Sequence, residues 1–165
     1  MDRLSPFEDE LVALLPRLRR FAHGLSRTAA DADDLTQATI ERALRSKAQW
    51  QPGTRLDSWT YRIMRNLWID TARSRSRKEK VEGPPEEAEL LGEDPRESMD
   101  ASVDLARMMK AMSRLPDEQR EVVALILIEG FAYRDASEML DLPIGTVSSR
   151  LVRGRMALLA MMGER

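Results

Sequence analysis

Apolar residues recur along this chain at intervals of three and four, without the alternation of period two that marks a half-buried strand. Leu11, Leu14, Leu15, Leu18, Phe21 and Ala22 form one helical face. Leu35, Ala38, Thr39, Ala43 and Leu44 form a second, after an Asp31-Ala-Asp-Asp34 start suited to an N-cap and first turn. Pro16 falls inside the first pattern, where its missing N–H and its ring predict a kink or a break. A turn at Gln51-Pro-Gly-Thr54 follows, then a helix over about Leu56–Arg77 with Trp59, Ile63, Leu67 and Met64 as its apolar face.

The periodicity lapses in KEKVEGPPEEAELLGEDPRESMD, residues 78–100, where nine carboxylates accompany three prolines and two glycines. Such a stretch buries little apolar surface and reads as a flexible acidic linker, longer than the loops usual inside a compact domain. Beyond it, helices are predicted near Ala101–Arg114 and Asp117–Glu129, split by Leu115-Pro116 and stopped by Gly130. The VVALILI run of 122–128 reads as buried helix between helix-favouring flanks. Tyr133–Leu140 and about Ile144–Met161 close the pattern, and the Asp141-Leu-Pro143 turn between them has the length a helix-turn-helix requires. The predicted fold is all-α: two small helical domains at 1–77 and 101–165 joined by the linker.

Composition narrows the chemistry. The 165 residues include no cysteine and one histidine, His23, so disulfides, thiolate metal sites, zinc centres and histidine-based triads lack their parts. Neither catalysis nor a cofactor is expected. No stretch nears the ~20 apolar residues of a membrane span, and the acidic start at Asp2, Glu8, Asp9 and Glu10 is unlike a signal peptide. A cytoplasmic protein is the expectation. The formal net charge of -2 conceals 14 basic against 10 acidic residues in 1–77, 3 against 9 in 78–100, and 9 against 9 in 101–165.

Against that balance PIGTVSSRLVRGR, Pro143 to Arg155, holds three arginines and no acid. In a helix-turn-helix the second helix enters the major groove, with base edges read by its exposed residues and phosphates held by its cations. Val147 and Leu151 are spaced to pack on the first helix, leaving Ser148, Ser149, Val152 and Arg153 on other faces and Arg150 and Arg155 near the DNA backbone.

RLPDEQREVVALILIEGFAYRDASEMLDLPIGTVSSRLVRGRMAL resembles region 4, the minus-35-reading domain, of an extracytoplasmic-function (ECF) sigma factor of the sigma-70 family. DADDLTQATIERAL is similar to region 2.2, and WQPGTRLDSWTYRIMRNLWID to regions 2.3 and 2.4, in the same order and about the same linker. ELVALLPRLRRFAHGLS resembles the start of both the alphaproteobacterial general-stress sigma factors and their mimic partners.

The resemblance implies roles. Asp34, Leu35, Gln37, Thr39 and Ile40 match the helix that grips the clamp helices of the polymerase β′ subunit; for Leu35, core packing is an equal reading. Trp50 and Arg55 match the minus-10 specificity loop, where Trp50 either meets a flipped base or closes the core. Asn66 matches a pocket-lining amide, able to donate to and accept from a base edge. Arg62, Arg65, Arg73, Arg75 and Arg77 make a basic ladder suited to a phosphate backbone, the last three also suiting the negative end of a helix. Ser148, Ser149, Arg150, Val152, Arg153 and Arg155, with Arg134 on the preceding helix, would meet minus-35 DNA.

Ser148 and Val152 depart from the cation and the aromatic frequent at their positions, and Ser137 replaces the usual alanine. The chain ends at Arg165, so no appended regulatory domain is expected. Implied partners are core RNA polymerase, through its β′ clamp helices and β flap, promoter DNA, and an anti-sigma protein covering Asp34–Ile40 and Val122–Ile128. The acidic linker either threads toward the RNA exit path or spaces the domains. Two alternatives explain less: a sigma mimic needs neither Asn66 nor the basic ladder, and a helix-turn-helix activator leaves the N-terminal motifs unused.

Overall fold

The computed structural model describes residues 5–83 and 99–163, the side chains of 99–102 excepted. Regular structure among the described residues is entirely helical.

Helix α1, Pro6–Leu25, starts on a capping box. The Ser5 hydroxyl accepts from the Glu8 amide, the Glu8 carboxylate accepts from the Ser5 amide, and Pro6 occupies a position where no N–H is needed. The break expected at Pro16 does not occur, and the helix runs through it. Pro16 and Val12, whose carbonyl loses its partner, are both exposed, so water can satisfy the oxygen. Helix α2, Ala29–Arg45, is capped by Thr28, which accepts from the Asp31 amide, so Asp31 lies in the first turn.

A short 3₁₀ turn, Lys47–Gln49, and the turn closed by the Thr54 amide on the Gln51 carbonyl lead to α3, Leu56–Glu82. Gly53, at φ 89, supplies the left-handed position of that turn. Helix α3 runs past Arg77 into the segment read as linker; residues 84–98 lie outside the described residues. Its fully buried face is Leu56, Thr60, Tyr61, Met64 and Trp68, while Trp59, Ile63 and Leu67 are only half-buried. The face is wider than predicted because α3 is packed on both sides, by α1 and α2 and by the second unit.

That unit comprises α4, Met99–Arg114, α5, Asp117–Val123, a π turn at Ala124–Ile128, α6, Tyr133–Leu140, and α7, Ile144–Gly163. The run read as one buried helix therefore widens, with the Glu129 amide bonding the Ala124 carbonyl five residues back. Val122 to Leu125 are buried, whereas Leu127 faces solvent. Gly130, at φ 77, ends it. Between α6 and α7, Asp141 takes the left-handed conformation at φ 53, and the Ser137 hydroxyl donates to the Leu142 carbonyl, so the serine pins the turn.

The two units pack on each other. Phe21, Tyr61 and Phe131 pack in series with ring centroids 4.8 and 5.0 Å apart, the first pair tilted and the second edge to face, and Gly24 lets α1 approach Ala124 and Ile128. Of Val122–Ile128, the stretch expected to be covered by an anti-sigma protein, Val122 to Leu125 are buried within this chain and Leu127 is exposed.

Candidate nucleic-acid interface

Helix α7 has two opposed faces. Val147, Leu151, Gly154 and Leu158 are buried at helical spacing, against α5, α4 and α6. Ser148, Ser149, Val152, Arg153 and Arg155 are exposed on the other side, where a groove could be met. Ser149 returns its hydroxyl to the Thr146 carbonyl at 3.1 Å. Arg150 stands at the flank, 3.6 Å from the Glu118 carboxylate. Arg134 of α6 is exposed, 3.9 Å from Glu138.

The N-terminal positions are divided by burial. Asp34 and Gln37 are exposed and Ile40 is half-buried, on one side of α2. Thr39 is not available as a polar contact: it is fully buried and donates its hydroxyl to the Leu35 carbonyl at 2.7 Å. Leu35 is 8% exposed, in keeping with core packing. The reason is the 3.6-residue period, which turns Leu35 and Thr39 inward when Asp34 and Gln37 face out. Leu35 and Asp34 also border a cleft of about 420 Å³ lined by Trp68, Arg75 and Arg120.

Trp50 packs on Phe7 at 5.4 Å with its indole N–H buried and without a hydrogen-bond partner among the described residues. Its ring is half-buried and packs against the core. Asn66 is exposed at the rim of a pocket of about 180 Å³, with Arg42, Ser46, Gln49 and Asp70 as its other polar lining and Trp59, Ile63 and Leu67 as its apolar wall. Those four polar residues carry no signal in the sequence, because three of them, Arg42, Ser46 and Gln49, come from the end of α2 and the 3₁₀ turn and meet α3 only in the fold.

Arg55 of the loop and part of the basic ladder are occupied. Arg55 pairs with Asp57 at 3.1 Å and with Asp135 of α6 at 3.0 Å. Arg62 donates to the Glu138 carbonyl at 2.6 Å, and Arg65 to the Glu121 carboxylate at 3.0 Å. Arg75 pairs with Asp31, whereas Arg73 and Arg77 are exposed without an ion pair among the described residues. The hydrogen bond to Asp57 leads the effects that raise the Arg55 guanidinium above its ordinary value. Burial alone would raise the Asp57 carboxyl; the hydrogen bond and charge of Arg55, the Ser58 amide and Arg17 outweigh it and hold it low.

Arg20 makes two hydrogen bonds to Glu129, of 3.0 and 2.7 Å, and the Tyr61 hydroxyl donates to the same carboxylate at 3.0 Å. Burial, then the Glu129 charge, pushes the Tyr61 hydroxyl well up, so it remains a donor. Arg120 is 1% exposed and donates five hydrogen bonds, to Asp117 and to the carbonyls of Met112, Ser113, Leu115 and Leu25. Its role is visible only in the fold, although it ends the L-P-x-x-x-R stretch of the sequence.

Comparison with known proteins places both units. The Sigma-70 region 2 family matches residues 11–78, and the Sigma-70, region 4 family matches residues 105–158. The chain is 36% identical over 162 residues to the ECF RNA polymerase sigma factor EcfG of Rhodopseudomonas palustris, covering 98% of this chain and 88% of that protein. It is 39% identical over 158 residues to the ECF RNA polymerase sigma factor SigE of Mycolicibacterium smegmatis, covering 93% of this chain and 60% of that protein. Its structure is similar to that of the sigma factor RpoE from Bartonella quintana, solved in complex with the anti-sigma factor NepR, with a TM-score of 0.85 and 32% identity over 98% of this chain and 100% of that one. No described helix is long and apolar enough to cross a membrane. The chain therefore belongs to the extracytoplasmic-function RNA polymerase sigma factors of the sigma-70 family.

Proposed function

We propose that this protein directs core RNA polymerase to its promoters in the cytoplasm, reading minus-35 DNA as duplex through α7 and minus-10 DNA as an opened strand through α3. The observation that carries the reading is the exposed stripe of Ser148, Ser149, Val152, Arg153 and Arg155 on α7, opposite a buried face that anchors the helix. Arg134 and Arg150 flank it and would hold phosphates. On α3, Asn66 would present its amide to an unpaired base, with Arg55, Arg62 and Arg73 along the strand. Trp50 would act by supporting the loop through Phe7. Asp34, Gln37 and Ile40 would meet the polymerase clamp, with Leu35 and Thr39 holding their helix from behind. An anti-sigma protein is a further proposed partner. Synthesis of RNA belongs to the polymerase, and this subunit contributes binding and strand capture.

The test is run-off transcription with core polymerase on a genomic promoter library. Transcripts that start at defined sites only when this protein is added are expected. A folded protein that binds core polymerase and yields none would overturn the reading.

A further inference from the structure

Gly145 is a glycine that the fold does not ask for. It lies in the first turn of α7, is exposed, and a Cβ built on it would meet nothing within 4 Å. The other described glycines have a reason in the chain itself: Gly24 and Gly154 face close neighbours, Gly53, Gly83 and Gly130 take positive φ, and Gly163 ends α7. Alanine would hold the helical conformation of residue 145 at lower entropic cost, so what the glycine provides lies outside the chain. Gly145, Ser149 and Val152, at i, i+4 and i+7, form one line on the side of α7 opposite the buried Val147, Leu151, Gly154 and Leu158. They span about 10 Å of helix axis, against about 12 Å for the width of the major groove.

Toward the groove this line is short and poor in donors. Gly145 has no side chain, and Ser149 turns its hydroxyl proton back to the Thr146 carbonyl at 3.1 Å, leaving only oxygen lone pairs outward. Val152 is 54% exposed and, being β-branched, holds its two methyl groups in a fixed direction. Short side chains let a helix backbone approach base edges closely, and the apolar feature of a base edge in the major groove is the thymine 5-methyl group. We propose that α7 reads minus-35 DNA by close apolar contact, with Gly145 as the clearance that lets its first turn reach the base edges and Val152 as the residue that recognises a thymine methyl group. The proposal rests on the reading that α7 meets minus-35 duplex, and adds to it the group that is read. Arg153 and Arg155 border the line on either side, so cationic donors frame the apolar contact. A base pair without a methyl group at this place sets the Val152 side chain against polar edge atoms, which lose water without gaining a hydrogen bond, and is disfavoured.

The test uses holoenzyme assembled from core polymerase and the full chain, bound to a promoter that the wild type transcribes. Each minus-35 thymine, on either strand, is replaced in turn by deoxyuridine, which lacks only the methyl group. At one position the wild type is expected to lose about three- to fivefold in affinity, the worth of one buried methyl group. Val152→Ala is expected to bind the thymine and deoxyuridine forms of that promoter equally. Indifference of the wild type to every replacement, or full discrimination retained by Val152→Ala, overturns the proposal. Gly145→Ala separates clearance from folding by moving two measurements apart. Its urea midpoint should match or exceed that of the wild type, while holoenzyme affinity for the promoter falls at least about fivefold as the added Cβ is pressed against the DNA. Unchanged affinity, or a lowered midpoint, overturns the role of Gly145. Affinity of Gly145→Ala for core polymerase should equal that of the wild type, and a loss there would place the glycine at the polymerase and overturn the proposal as well. Wild-type holoenzyme that gains no promoter binding from the minus-35 element would instead overturn the reading on which the proposal rests, and the proposal with it.

Discussion

Gly154 of α7 lies so near Val123 of α5 that a Cβ added to the glycine would sit 2.7 Å from the valine Cγ2, with the Gln119 Cβ at 3.3 Å. The neighbour is a short branched side chain that cannot swing away, so one of the two helices must move. Alanine ordinarily gains about 1 kcal/mol over glycine inside a helix, whereas overpacking costs about 1–3 kcal/mol. Gly154→Ala is expected to lose about 1 kcal/mol net in urea unfolding, and Gly154→Leu more. A stabilised Gly154→Ala would show that α5 and α7 are looser than this.

Arg120 should be the most sensitive single position. All five guanidinium donors are used, and most go to carbonyls at or just past the C-terminal ends of α4 and α1. Burial lowers its affinity for the proton, and Asp117 opposes this. Arg120→Met, which keeps the stem but orphans those acceptors, should cost about 3 kcal/mol or more by denaturant titration. Arg120→Lys, with three donors in another geometry, should recover only part.

Glu121 predicts a pH dependence of defined sign. Burial raises its carboxyl, while the hydrogen bond and charge of Arg65, and Arg150, pull it down without cancelling the effect. A carboxyl raised in the folded state contributes stability below its ordinary value of 4.5 and loses it as pH rises through the folded value. The stability of the wild type minus that of Glu121→Gln should therefore fall between acid and neutral pH. Chemical unfolding of both proteins across that range checks it, and a rising difference would contradict the assignment.

On α7, base reading and phosphate holding should separate. Arg153→Ala and Ser149→Ala are expected to reduce discrimination among minus-35 sequences by about 1–3 kcal/mol at the affected position, and Arg155→Ala to weaken all promoters alike. Binding to matched and mismatched duplexes at fixed salt makes the comparison. Equal loss on every duplex for Arg153→Ala would make it a backbone contact.

For Asn66, the expectation concerns opening. Flipping a base costs a few kcal/mol, which the pocket bounded by Trp59 and Ile63 must offset. Asn66→Ala should impair transcription from duplex templates and be substantially restored on a template with a pre-melted minus-10 bubble. Wild-type activity on both templates would reduce Asn66 to a surface amide.

Much of this was legible in local spacing. The helices, the Gly53 and Gly130 turns, the Asp141-Leu-Pro143 connection and the two faces of α7 follow from periodicity and turn chemistry, which act over a few residues and so are written in order along the chain. Family resemblance added the roles of α2 and α3 only as positions on a helix. Which of those positions are available was decided by the tertiary structure. Thr39 turned inward, Trp50 closed on Phe7, and Arg55, Arg62 and Arg65 found acceptors 80, 76 and 56 residues away. Arg120 and Gly154 owe their importance to neighbours on other helices. Contacts across such separations depend on how whole faces pack, because burial is collective and no short window of sequence contains both partners.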